Sequence, residues 1–307
     1  MLVAFLGNDR WSVPSLEVLA ASSHRVAVVA TRVPRPAGRG GGLRPTPVAE
    51  AARRLNLPLV EVETVKGGPG PEAIRAARPD ALAVVAYGEI LPAHLLEVPR
   101  VAPVNVHFSL LPALRGADPV RRAILEGLEV TGVTTIRMDE GMDTGPILLQ
   151  LEERIAGGED AGTLGDRLAI LGGTLLVETL DGLEAGTLEP RPQDHDRATT
   201  APKPRPEEEW IDWKEDAAAV HRRVRALAPD PGARTRFRGK LLKVLRASVV
   251  EGSGDPGTLL EPVAGHPAVA AGSGAVVLEE VIPEGRRLMS GADFARGQRL
   301  EPGERVG

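Results

Sequence analysis

The chain has 307 residues, long for one domain and comfortable for two, with the 42% hydrophobic and 26% charged content of an ordinary soluble globular protein. It contains no cysteine, which excludes disulfides, thiolate nucleophiles and cysteine-ligated metals, and a cytoplasmic setting is expected. The net charge of -5 gives no global sign of nucleic-acid binding.

No apolar run approaches the roughly 20 residues of a membrane span. The opening MLVAFLGNDRW lacks the basic start of a signal peptide, and its residues 2–6 read as a buried strand closed by Gly7-Asn8. A helical pattern opens near Ser12 and Pro14, RVAVVAT (25–31) is a second buried strand, and 45–56 looks like a helix. ALAVVAYG (81–88), the run around 104–108 and VTGVTTIRM (130–138) continue as strands, with helices at about 118–126 and 161–182. Strands alternating with helices imply a parallel sheet covered on both faces, with ligands at its carboxyl ends. From Glu189 to Glu209 the chain is rich in proline and charge, with almost nothing to bury, and reads as a linker. After a helix at about 215–227, short β-like runs separated by Gly, Pro and Asp suggest a small β-barrel. The expected division is a catalytic domain over 1–189, a linker over 190–209 and a barrel over 210–307.

In VNVHFSLLP (104–112), strand alternation puts Asn105 and His107 on one face and Val104, Val106 and Phe108 on the other. That is either a polar strand end or half of an active site. The remaining histidines (His24, His94, His195, His221, His266) have no polar partner nearby in sequence. MDEGMDTGPIL (138–148) offers Asp139, Glu140 and Asp143 between glycines, as a tight loop. It reads either as a turn capped by Asp143 or as a carboxylate brought to His107. Amide, imidazole and carboxylate, with no serine or cysteine nucleophile, suit direct group transfer through a stabilised oxyanion. No cluster has metal-ligand spacing, and FLGND fails the dinucleotide-binding glycine pattern. PRPAGRGGGLRPTP (34–47) is a flexible basic loop with Arg35, Arg39 and Arg44, and 221–246 carries nine Arg or Lys against one Asp. The second stretch reads as a solvated face or as a phosphate-binding surface.

VNVHFSLLPALRGADP, DEGMDTGPIL and AYGEILP together resemble the signatures of the methionyl-tRNA formyltransferase family, and RPAGRGGGLRPTPV, EEEWIDW and RALAPDPGA are similar to its inserted loop, linker end and C-terminal entry. The resemblance covers essentially the whole chain. It implies a Rossmann-like, mostly parallel domain followed by an oligonucleotide-binding-type (OB-like) barrel. It also implies formyl transfer from 10-formyltetrahydrofolate to the α-amine of initiator methionyl-tRNA, with no metal. By position, Asn105, His107 and Asp143 are catalytic. Ser109, Leu110, Leu111 and Pro112 border the folate, with Gly88, Glu89 and Leu91 near its pterin. Arg35, Arg39, Arg44, Arg222, Arg236 and Lys240 face tRNA, Arg39 at the acceptor stem, and the protein acts as a monomer. Two positions depart from the family pattern: Phe108 stands where glycine is usual, and Ala228 where asparagine is frequent. Strand alternation sends the Phe108 ring into the core. The rival expectations are a formyltransferase for a small amine (glycinamide ribonucleotide or an amino sugar nucleotide) and a non-catalytic RNA-binding protein on this scaffold.

Overall fold

The computed structural model describes residues 1–37 and 42–307. The chain forms two compact units: Met1–Pro119, Val130–Arg154 and Gly165–Pro202 make the first, and Val120–Glu129, Ile155–Leu164 and Lys203–Gly307 the second. Up to the end of the first sheet the strands are β1 (Leu2–Gly7), β2 (Arg25–Arg32), β3 (Arg35–Ala37), β4 (Gly42–Arg44), β5 (Leu59–Val62), β6 (Ala81–Val85), β7 (Ala102–His107), β8 (Val130–Arg137) and β9 (Ile147–Arg154). The helices are α1 (Val13–Ala21), α2 (Pro47–Arg54), α3 (Pro69–Ala76), α4 (Ala93–Leu96), α5 (Pro119–Leu125) and α6 (Ala161–Ala185). Local chemistry explains α2 well. Thr46 caps it by accepting from Ala49 N–H, Pro47 opens it, Glu50 lies in its first turn, and Arg53 and Arg54 lie in its last.

The first unit is built on a seven-stranded sheet in the order β5-β2-β1-β6-β7-β8-β9. The five strands from β5 to β7 are parallel, and β1 and β6 are buried almost throughout because both faces of the sheet are covered. The sheet is mostly parallel, as expected, with two antiparallel strands at one edge. β8 runs antiparallel to β7, and β9 antiparallel to β8. The connection 138–146 is too short for a parallel crossover, which takes a dozen residues or more. β9 becomes an edge strand whose far half, Glu152 to Arg154, is charged.

Phe108 lies in the core at 5% exposure, its ring edge-on to Trp11 with centroids 6.3 Å apart. α6 makes the room. A Cβ on Gly172 would stand 3.1 Å from the Phe108 ring and 3.0 Å from Val106, and one on Gly165 would stand 2.0 Å from Trp11. The small residues of α6 therefore let helix and sheet approach closely around an unusual phenylalanine. Phe108→Ala should destabilise the protein by about 3 kcal/mol through cavity formation. Denaturant unfolding would measure this, and the KM for the formyl donor should stay within twofold.

In the second unit, α7 (Ala217–Leu227) precedes β10 (Ala233–Phe237), β11 (Lys240–Val250), β12 (Leu259–Val263), β13 (His266–Ala270), β14 (Ala275–Pro283), β15 (Met289–Ser290) and α8 (Gly291–Gln298). The antiparallel order is β10-β11-β14-β13-β12, with β15 beside β14. Its two edges are joined by the last residues of the chain: Arg305 bridges Thr258 just before β12, and Val306 bridges Phe237 of β10. This is the barrel expected of an OB-like domain. Trp213, Val220, Val224 and Leu227 pack into its core with Phe237, Leu242 and Val244. Ala228 is the buried C-cap of α7. Among the described residues no helix is long and apolar enough to cross a membrane.

Candidate active site

β7 delivers the first two groups. Val104 and Val106 are buried, at 0% and 3%, and Asn105 and His107 alternate with them. His107 is itself 95% buried, and its Nε2 lies 2.9 Å from the carbonyl of Leu114. A carbonyl only accepts, so Nε2 carries a proton and the ring is fixed with Nδ1 free for chemistry.

Asp143 provides the third group. Because β8 is antiparallel, its carboxyl end arrives beside the start of β7, where Met138 N–H donates to Pro103 O at 2.9 Å. The following loop curls back, and Asp143 adopts a left-handed backbone with φ of 56°. Its Oδ1 accepts from Asn105 Nδ2 at 3.1 Å, its Oδ2 accepts from Gly116 N–H at 2.9 Å, and His107 Nδ1 lies 3.6 Å from Oδ2. The carboxylate thus bonds directly to the amide and faces the imidazole at ion-pair range. The turn-capping role belongs to Asp139, whose Oδ1 accepts from Gly141 N–H and Thr144 Oγ1.

The expected folate residues lie in two loops that leave adjacent parallel strands, β6 and β7. Gly88 has φ of 76° and open space where a Cβ would be, so a flat ring could approach its backbone. The Glu89 carboxylate accepts from Thr64 Oγ1 and Val65 N–H and faces Arg32 at 3.7 Å. Leu91 and Leu111 are buried in apolar clusters, which leaves mainly their backbone for a ligand. Ser109 Oγ donates to Ala113 O, locking the turn that Pro112 and the half-buried Leu110 complete. Near them, burial and then the Glu89 charge push the Tyr87 phenol up to about 12, and its hydroxyl has no hydrogen-bond partner.

The basic residues divide. Arg35 and Arg44 are exposed and stand directly opposite each other where β3 and β4 pair, so the ends of the basic loop are a hairpin. Arg39 lies outside the described residues. Of the nine cations in 221–246, six have partners in their own unit, Arg236 donating to Gly239 O. Arg223, Arg234, Arg238 and Arg246 pair with Glu215, Glu209, Glu304 and Glu279, and Arg225 donates to the carbonyls of Glu159 and Ala156. Carboxylates thus face four of these cations within the unit. Arg236 is exposed over the Trp210 ring at 5.1 Å, Lys240 is exposed, and Arg222 is half-buried with an unpartnered Nε. Burial, and then the Arg225 charge, hold the His221 imidazole below its usual range. His24, which lacks a partner nearby in sequence, is buried against Asp181 and Glu184 of α6.

The sequence reading missed a set of supporting residues. Gln193 and Ala201, in the segment read as having almost nothing to bury, are 6% and 0% exposed. Backbone bonds tie Arg191 to Ile147 at the start of β9, and Thr199 and Ala201 to Arg115. This strap crosses both loops that carry the site. An isolated glutamine among prolines and charges has no local signature that could have singled it out.

The family described as Formyl transferase matches residues 1–180, and Formyl transferase, C-terminal domain, matches 203–299. Methionyl-tRNA formyltransferase of Solibacter usitatus is 43% identical over all of this chain and 99% of its own length. That of Heliobacterium modesticaldum is 42% identical over all of both chains. Among solved structures, HypX from Aquifex aeolicus, in complex with tetrahydrofolic acid, shares the fold with a TM-score of 0.64 at 18% identity, over 95% of this chain and 46% of its own length. With identity above 40% from end to end and the Asn-His-Asp group assembled, the chain belongs to the methionyl-tRNA formyltransferase family.

Proposed function

We propose that this protein transfers the formyl group of 10-formyltetrahydrofolate to the free α-amine of initiator methionyl-tRNA, for translation initiation. The observation that carries the reading is the meeting of Asn105, His107 and Asp143 at one carboxylate, in a chain related to these enzymes over its full length. The folate supplies an activated formyl carbon, and the reading invokes no metal. As the amine attacks, negative charge gathers on the formyl oxygen. Asn105 has a second amide N–H beyond the one given to Asp143, and that N–H and the Nδ1–H of the imidazolium form of His107 are the donors for this oxygen. Asp143 stabilises the charged imidazole and helps pass the proton lost by the amine to folate N10 as the old C–N bond breaks. Ser109, Leu110, Leu111 and Pro112, with Gly88, Glu89 and Leu91, are the proposed folate contacts.

The tRNA reading is supported by the hairpin. Like charges directly opposite on paired strands cost stability, and a phosphate between Arg35 and Arg44 would offset that. Arg39, Arg222, Arg236 and Lys240 complete the proposed tRNA contacts, with Arg39 at the acceptor stem. The catalytic and barrel domains of 1–189 and 210–307, a monomer and a cytoplasmic location belong to the same proposal, with 190–202 counted in the first unit rather than as linker. Its test is an assay with 10-formyltetrahydrofolate and charged initiator tRNA, set beside charged elongator tRNA, glycinamide ribonucleotide and an amino sugar nucleotide. Formylation of a small amine alone would overturn it. In the same assay, Arg236→Gln with Lys240→Gln should raise the KM for tRNA and flatten its salt dependence by about one unit of log-log slope per lost phosphate contact. The KM for folate should not move.

A further inference from the structure

We propose that Gln193 is a positioning residue for the transfer, acting through Asp143; the proposal rests on the catalytic reading above. Its carboxamide is buried and fully used. Nε2 donates to Asp143 O at 2.8 Å and to Gly145 O at 2.7 Å, and Oε1 accepts from Arg115 Nε at 3.1 Å and Nη2 at 2.6 Å. Two carbonyls on one side and a guanidinium on the other permit only this orientation of the amide. The residue after Arg115 is Gly116, whose N–H holds Asp143 Oδ2. Gln193, Asp143, Gly116 and Arg115 thus close a ring of hydrogen bonds and chain around the catalytic carboxylate. A left-handed backbone at a non-glycine residue persists only where its surroundings hold it, and at Asp143 the ring does the holding. Without Gln193, two carbonyls lose their donor and the carboxylate loses the anchor that aims it at Asn105 and His107.

Gln193→Glu and Gln193→Met separate this role from packing. The glutamate can still pair with Arg115 but offers Asp143 O and Gly145 O no donor. The methionine keeps the volume and bonds to neither side. Both should lower kcat at least about tenfold while the KM for folate and for tRNA stays within about threefold, as expected when an interaction made in the transition state is lost. In single-turnover experiments on an Asp143→Asn background, Gln193→Met should add less than twofold. Amide hydrogen exchange supplies a readout that needs no substrate: the Gly116 N–H should exchange at least about tenfold faster in both variants. A fall in melting temperature with kcat per folded enzyme and Gly116 exchange both unchanged would make Gln193 a packing residue and overturn the proposal. A wild-type protein that formylates no charged tRNA would overturn the catalytic reading and with it the role in transfer, whereas the Gly116 exchange result tests the anchoring of Asp143 by itself.

Discussion

His107→Ala is expected to lower kcat by at least about 10²-fold while leaving the KM for both substrates within a few-fold, the size of effect typical of a positioned acid-base group. The geometry gives the reason. The ring is held by Leu114 O at Nε2 and presents Nδ1 to the Asp143 carboxylate 3.6 Å away, so it acts where charge develops rather than where substrate first docks. Asn105→Ala should lose a comparable 10²- to 10³-fold, because the amide is the other donor to the developing oxyanion. The two losses should combine to less than their product, since both groups share one carboxylate. Circular dichroism on each variant distinguishes lost chemistry from lost fold. Turnover near wild type in His107→Ala would remove the imidazole from the mechanism.

Gly145→Ala should be nearly as damaging, although the glycine touches no substrate. An added Cβ would stand 1.9 Å from the carbonyl oxygen of Arg137 and 3.0 Å from its carbonyl carbon. Those are backbone atoms at the end of β8, so no side chain can swing aside. The 138–146 loop must shift instead, and Asp143 rides on it. Overpacking of this kind costs about 1–3 kcal/mol, a melting shift of roughly 2–10 °C for a chain this long. The displaced carboxylate should cut kcat more than tenfold, since small errors of placement carry large rate penalties. Gly67→Ala is the control: its Cβ would meet nothing within 4 Å, and both measurements should stay at wild type. If Gly145→Ala kept its kcat, the placement of the loop would not matter to catalysis.

Much of this molecule is written locally. The strands at 2–7, 25–32 and 81–85 are recognisable because strands covered on both faces must be largely apolar, and a run of valine, alanine and leucine carries that requirement with it. Asn105 and His107 share a face through the period of two that every strand obeys, and Asp143 is set apart by a glycine-flanked loop that cannot be helix. The reversal of β8, which decides from which side Asp143 arrives, leaves no mark on that strand, because pairing direction depends on the neighbour and not on its own residues. The basic stretch at 221–246 likewise reads the same whether its arginines meet solvent or Glu209, Glu215, Glu279 and Glu304, and the choice lies with partners up to 66 residues away. Gln193 is the clearest case. It stands 50 residues from Asp143 and 78 from Arg115, and its meaning exists only once folding has brought both to its carboxamide. Hydrophobic periodicity is a property of neighbours in sequence, whereas the satisfaction of a buried polar group is a property of neighbours in space.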